Sequence, residues 1–269
     1  MAQERPAGER GAQYGGFVRS RLPRGRSWLA AVALALVLLS LVAPAASYAR
    51  RYVFAESLQF LVFATVVPAL LVLGAPWRLG APGVRRLAGH LARRPGGSGL
   101  ARGFTVLLVF MGTVIAWRLP ASVDALARWP GFAAAEMATL VAAGSALWLE
   151  LVESPPSLPE LPRPLRAVFA AVAMWTIWVL AYILGFSQVA WFRAYGHGVG
   201  LSPVADQEIA TGIMWAVPAL CFVPVVFVTA LTWLKDPDEE LRAIVAAERP
   251  QPRPGRCPRP PRGWNTHPA

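Results

Sequence analysis

Hydrophobic residues in this chain gather into runs of roughly 18 to 25, and that length constrains the fold more than any other feature. A bilayer presents about 30 Å of hydrocarbon, which a helix rising about 1.5 Å per residue crosses in about 20 residues. Six runs qualify, at roughly 28–49, 53–74, 103–120, 131–153, 165–187 and 209–234. Hydrocarbon offers backbone N–H and C=O groups no partner, so each run must satisfy them internally as a helix. The alternating apolar and polar pattern of a membrane barrel strand is absent. Only 15% of the residues are charged, against about a quarter in soluble domains. The expected fold is all-α: a polytopic bundle of about six transmembrane helices in a lipid bilayer. Pro44, Pro68, Pro218 and Pro224 fall inside the runs and predict kinks, with neighbouring helices re-satisfying the carbonyls they free.

Arginine sets the expected orientation. With the N-terminus cytoplasmic, 21 of the 26 basic residues fall on the inner side, leaving Arg50, Arg51, Arg118, Arg128 and Arg193 outside; the opposite orientation inverts this bias. Both termini are then inside, and the chain divides into a basic tail at 1–27, a membrane domain at 28–234 and a Pro/Arg-rich tail at 235–269, with a short helix expected within 236–248 and the remainder of that tail expected to be disordered. Trp28, Trp77, Trp148 and Trp233 fall near inner ends of the runs and Trp117, Trp129 and Trp191 near outer ends, as two interfacial belts require. The first run competes with a second reading, a secretory signal peptide with Ala43, Ala45 and Ala46 as its cleavage region. The formal charge of +11 is explained by the loops and tails, and nucleic-acid binding is not expected. Cys221 lies in an apolar run and Cys257 in the tail, so they form no disulfide framework.

Ionisable groups in or beside membrane helices are costly, and each marks a candidate functional position. Glu56, Arg118, Asp124, Glu136, Asp206 and Glu208 all fall toward the outer face, joined by the polar Gln59 and Gln207. Their helix ends are expected to converge on one polar pocket, in which Arg118 pairs with Glu136 or with Glu56. The competing reading is that these are interfacial residues reaching water, or helix N-terminal acids that favour the macrodipole, which suits Asp206 and Glu208 well. His90, His197 and His267 have no partner at ligand spacing. Met137 and Met214 are weak candidates for a copper ion, since thioethers bind Cu(I), but methionine in a membrane helix is usually packing material. No nucleophile with a nearby base, phosphate loop or cofactor-attachment motif is present, so an enzyme is not expected.

Three blocks resemble a family. Glu56-Ser-Leu-Gln59, continuing through Pro68 to Leu71-Val-Leu-Gly-Ala-Pro76, is the first. Trp117-Arg118-Leu-Pro120 with Asp124, Pro130 and Glu136 is the second, and Asp206-Gln207-Glu208-Ile-Ala210 followed by Gly212-Ile-Met-Trp215 is the third. Together they resemble the CtaG-type cytochrome c oxidase assembly proteins of bacteria, over about residues 50 to 235. The resemblance implies a multi-pass protein of the bacterial plasma (inner) membrane that assists biogenesis of a haem-copper oxidase, with oxidase subunits or other assembly factors as partners and a link to copper delivery. It also implies histidines at the positions of Glu56 and Phe60, of Ala133 and Met137, and of Arg118, and this chain has none of them. The metal-competent pocket of the family is then replaced by a charge-paired one. A carrier or channel for a small solute or metal ion is the alternative, and it requires polar groups continuing into the cytoplasmic half, where Glu150 and Glu153 are the exceptions to an apolar sequence.

Overall fold

The computed structural model describes residues 27–75, 99–154, 159–187, 189–192, 194–195 and 200–235. The two tails, apart from Ser27 and Lys235 at their edges, the helix expected within 236–248, Cys257 and all three histidines lie outside the described residues. The remainder is a helical bundle. Five helices are long and apolar enough to cross a membrane, and a shorter apolar one precedes them. This is a multi-pass membrane protein.

The first run is two helices, α1 (Ser27–Leu41) and α2 (Ala43–Ala49), separated at Val42, whose backbone is extended. Pro44 is the cause, because it has no N–H to give the Ser40 carbonyl four residues earlier. Gln59 from the next span supplies that bond, its Nε2 donating to the Ser40 carbonyl at 3.3 Å. The second span is Val53–Gly74: α3 (Val53–Leu61), a π-helical turn at Val62–Val66, and α4 (Val67–Gly74). Pro68 lies at the start of α4, so the kink predicted there takes the form of a widened turn just before it. Its neighbour on the facing helix is Gly144, where a Cβ would stand 2.5 Å from the Ala64 carbonyl oxygen and 2.6 Å from Pro68 Cγ. Gly144 therefore sets how closely these two spans approach.

The third span, α5 (Gly99–Arg118), ends two residues before the expected boundary, because Pro120 opens a separate short helix, α6 (Pro120–Arg128). The fourth and fifth spans are α7 (Pro130–Leu151) and α8 (Arg163–Gly185). The last, α9 (Pro203–Lys235), begins six residues earlier than expected and runs through Pro218 and Pro224 without ending. Its start is written in Ser202-Pro203: the Ser202 Oγ accepts from the Ala205 N–H at 3.2 Å, and proline is favoured at the first helical position. Near Pro218, Trp178 of α8 donates its indole N–H to the Trp215 carbonyl at 3.0 Å.

Helices α8 and α9 pack along their length, α9 also lies against α3, and α7 bridges α4 and α5. Phe60, Phe63, Phe110, Leu140, Leu147 and Phe222 fill the middle. Trp148 belongs to this core and not to an interfacial belt: it is buried and stacks on Phe222 at 5.5 Å. Trp28, Trp129 and Trp233 are exposed at span ends, as a belt requires.

Candidate functional site

At one end of the bundle, the end poor in arginine, polar side chains enter the core from four helices. Arg118 is the last residue of α5 and only 3% exposed. Both of its terminal nitrogens donate to Glu56 Oε2 at 2.8 Å, and one donates also to Ser57 Oγ at 3.1 Å. The guanidinium lies 4.2 Å from the centre of the Phe60 ring, a cation–π contact strengthened by desolvation. Phe60 lies three residues after Ser57 and four after Glu56, spacings that put it beside both on the surface of α3. Of the two partners expected for Arg118, the structure selects Glu56.

Glu136 stands beside this pair in the second turn of α7, 5% exposed, without a hydrogen-bond partner at Oε1. Glu56 Oε1 and Arg118 Nε are likewise buried and unpartnered. Three polar atoms in one low-dielectric site thus keep bonding capacity that the fold leaves unused, although orphaned buried polar groups each cost about 1–3 kcal/mol. Such a concentration of unmet polar groups marks a site where a fold gives up stability.

The remaining expected residues have other partners. Asp206 receives the Val53 and Phe54 N–H groups at 2.8 and 2.9 Å, so its carboxylate caps the N-terminus of α3 from the neighbouring helix. Gln207 accepts the Trp191 N–H at 3.0 Å and donates to the Leu184 carbonyl at 2.8 Å, clasping the segment between α8 and α9. Asp124, on α6, accepts the Ala194 N–H at 3.0 Å from that same segment. Gln59 faces the Ser40 carbonyl and not the Arg118 pair. Glu208 is exposed and apart from the pocket, because it follows the buried Asp206 and Gln207 around the first turns of α9. One pocket lined by all eight residues is therefore replaced by a buried core of Glu56, Arg118 and Glu136, held by Asp206, Gln207 and Asp124.

A family model described as cytochrome c oxidase caa3 assembly factor matches residues 10–236. The chain belongs to this family. No curated protein and no solved structure gave a match. In this assembly factor the segment after α8 buries Phe192 and Tyr195. Burial pushes the Tyr195 phenol up; Glu56 adds to the shift, Arg118 opposes it, and Glu136 and Asp124 add further. The phenol therefore stays neutral and able to donate throughout the physiological range. Tyr195 was not among the expected site residues, because a tyrosine in an extramembrane loop is unexceptional. The available signal was the pair Phe192 and Tyr195, apolar surface inside an otherwise polar connection.

Among the described residues, no group of three or more His, Cys, Asp and Glu side chains is arranged to hold a metal ion. The donors at this site do not fit copper. Arg118 already holds Glu56, and its fixed positive charge repels a cation at that carboxylate. Met214 is wholly buried in the apolar core and Met137 packs against it.

Proposed function

We propose that this member of the family supports oxidase assembly in a bacterial plasma membrane as a non-enzymatic holding protein, engaging an assembly partner through the Glu56–Arg118–Glu136 site on the outer face. The supporting observation is the set of buried, unpartnered atoms at Glu136, Glu56 and Arg118, polar capacity that the fold concentrates and leaves unused at one end of the bundle. The sequence resemblance adds weight: three positions where it implies histidine, those of Glu56, Phe60 and Arg118, contact one another in space. Orientation rests on the arginine bias, which puts this end outside and the two basic tails in the cytoplasm.

Delivery of copper by a metal resident at this site is not part of the proposal, since the guanidinium stands where a cation would have to bind. Nor does the carrier reading gain support, because Phe110, Leu140, Leu147 and Phe222 close the bundle between its two polar ends. The experiment is deletion of the gene and complementation, read as cytochrome oxidase activity and haem spectrum. Loss on deletion, restored by the parent chain and by Glu208→Gln but not by Glu136→Gln, is the expected result, and an unchanged oxidase after deletion would refute the assembly role. Purified protein loaded with Cu(I) is expected to retain no stoichiometric copper; a tight one-to-one site lost in Glu136→Ala or Met137→Ala would restore the metal reading.

A further inference from the structure

The first span breaks at Val42, and beside that break a cavity of about 300 Å³ lies between α1, α2 and the start of the second span. Its apolar lining includes Leu36 and Leu39 of α1, Leu58 of α3 and Val62 of the π-helical turn. Three polar residues also line it, Ser40, Tyr48 and Gln59, and none of the lining residues is charged at neutral pH. We infer that this cavity binds a neutral lipid through a hydroxyl group, with the hydrocarbon chain against the leucines.

Gln59 supplies the polar contact. A glutamine amide has two N–H donors and an acceptor oxygen, and here only one N–H is used, in the 3.3 Å bond to the Ser40 carbonyl. The second N–H and Oε1 have no partner among the described residues. The Ser40 hydroxyl proton is already given to the Leu36 carbonyl at 2.8 Å, so the unused capacity within the cavity's polar lining centres on Gln59. A hydroxyl both donates and accepts. It therefore suits Oε1 and the free N–H alike, whereas an ester or ether oxygen can only accept.

Depth and lining disfavour a charged headgroup. Gln59 is six residues from the start of α3, about 9 Å along a helix, inside a span whose 22 residues are enough to cross the hydrocarbon. A phosphate or ammonium group drawn to that depth loses its water and finds no opposite charge in the lining. The volume is at the small end of ligand cavities, which run from about 300 to 1,000 Å³, and suits one hydrocarbon chain better than the two of a phospholipid. Leu39, Tyr48 and Leu58 are exposed, so the cavity is open to lipid from the side. None of Glu56, Arg118 and Glu136 lines it, and the inference is independent of the function proposed for them.

The test uses the full chain, purified in a detergent without hydroxyl groups, and hexadecanol carrying a photoreactive diazirine, with the labelled peptides identified by mass spectrometry. Labelling is expected within residues 36–62. Unlabelled hexadecanol should displace the probe at about fivefold lower mole fraction than hexadecyl methyl ether, the ratio that about one net hydrogen bond supplies. Hexadecyl phosphate should compete less well than the alcohol. Gln59→Leu should bring alcohol and ether to parity. Because that change also removes the bond to the Ser40 carbonyl, the second variant is Ala55→Leu, which narrows the cavity, keeps that bond and should reduce labelling at 36–62. Labelling confined to other residues, parity of alcohol and ether in the parent chain, or a preference that survives Gln59→Leu would overturn the inference. So would competition by hexadecyl phosphate equal to that by the alcohol, or labelling unchanged in Ala55→Leu.

Discussion

The bundle carries an arginine–glutamate pair at each end, and the two are built differently. On α5, Arg102 and Arg118 are sixteen residues apart, about 24 Å of helix; on α7, Glu136 and Glu150 are fourteen apart, about 21 Å. At the arginine-rich end, Arg102 bonds Glu150 through two nitrogens, at 3.0 and 3.3 Å, and Glu160 through the third at 2.9 Å. Its side chain is 24% exposed, so water shares the charge. At the other end Arg118 is sealed, both terminal nitrogens converge on a single oxygen of Glu56, and three neighbouring polar atoms go unpartnered. The first arrangement anchors a helix end at an interface. The second retains charge and unmet bonding in the core, where they cost most, and that asymmetry sets the two ends apart.

Substitutions can break this contrast. Arg118→Ala strands two buried carboxyl groups and should cost about 3–5 kcal/mol, read as the unfolding midpoint of the purified protein in detergent; a loss under about 1 kcal/mol would show that the pair does not organise the site. Asp206→Asn weakens two charge-assisted bonds to the start of α3 and is expected to cost about 1.5–3 kcal/mol, with hydrogen exchange at Val53 and Phe54 rising before global unfolding. Arg102→Ala, at the wetter end, should cost about 1–2 kcal/mol, and a cost equal to that of Arg118→Ala would erase the distinction between the ends. Smallest of all is Glu136→Gln, which keeps the side chain's size and removes no hydrogen bond at Oε1, and should shift stability by less than Arg102→Ala does while oxidase assembly fails in complemented cells. A Glu136→Gln variant that assembles oxidase normally would move the functional site away from this residue.

Much of the fold was legible. Val53–Gly74 has the bounds expected from hydropathy, while the end of the third span and the start of the last deviate at Pro120 and at Ser202-Pro203. Ser202-Pro203 moved the last helix start from 209 to 203, which carried Asp206 and Gln207 from a leading loop into the helix itself. A hydropathy window overlooks such a cap because the first turn is polar. Glu56, Arg118 and Glu136 lie together at one end, a depth readable from their positions along the runs. Glu208 and Gln59 left the group because depth is readable from position along a run, whereas the direction a side chain faces depends on how its helix is rotated.

By itself the sequence determined the number of apolar helices, their approximate ends and the end at which the unusual polar groups collect. These are properties of each segment against its solvent, set by the thickness of the hydrocarbon and the cost of an unsatisfied backbone. Only the tertiary structure decided that Arg118 bonds Glu56 and leaves Glu136 Oε1 without a hydrogen-bond partner, that Asp206 caps a helix not its own, and that Trp148 is core. Those outcomes follow from helix rotation and close approach, which contacts such as Gly144 against Ala64 and Pro68 set between segments about 80 residues apart.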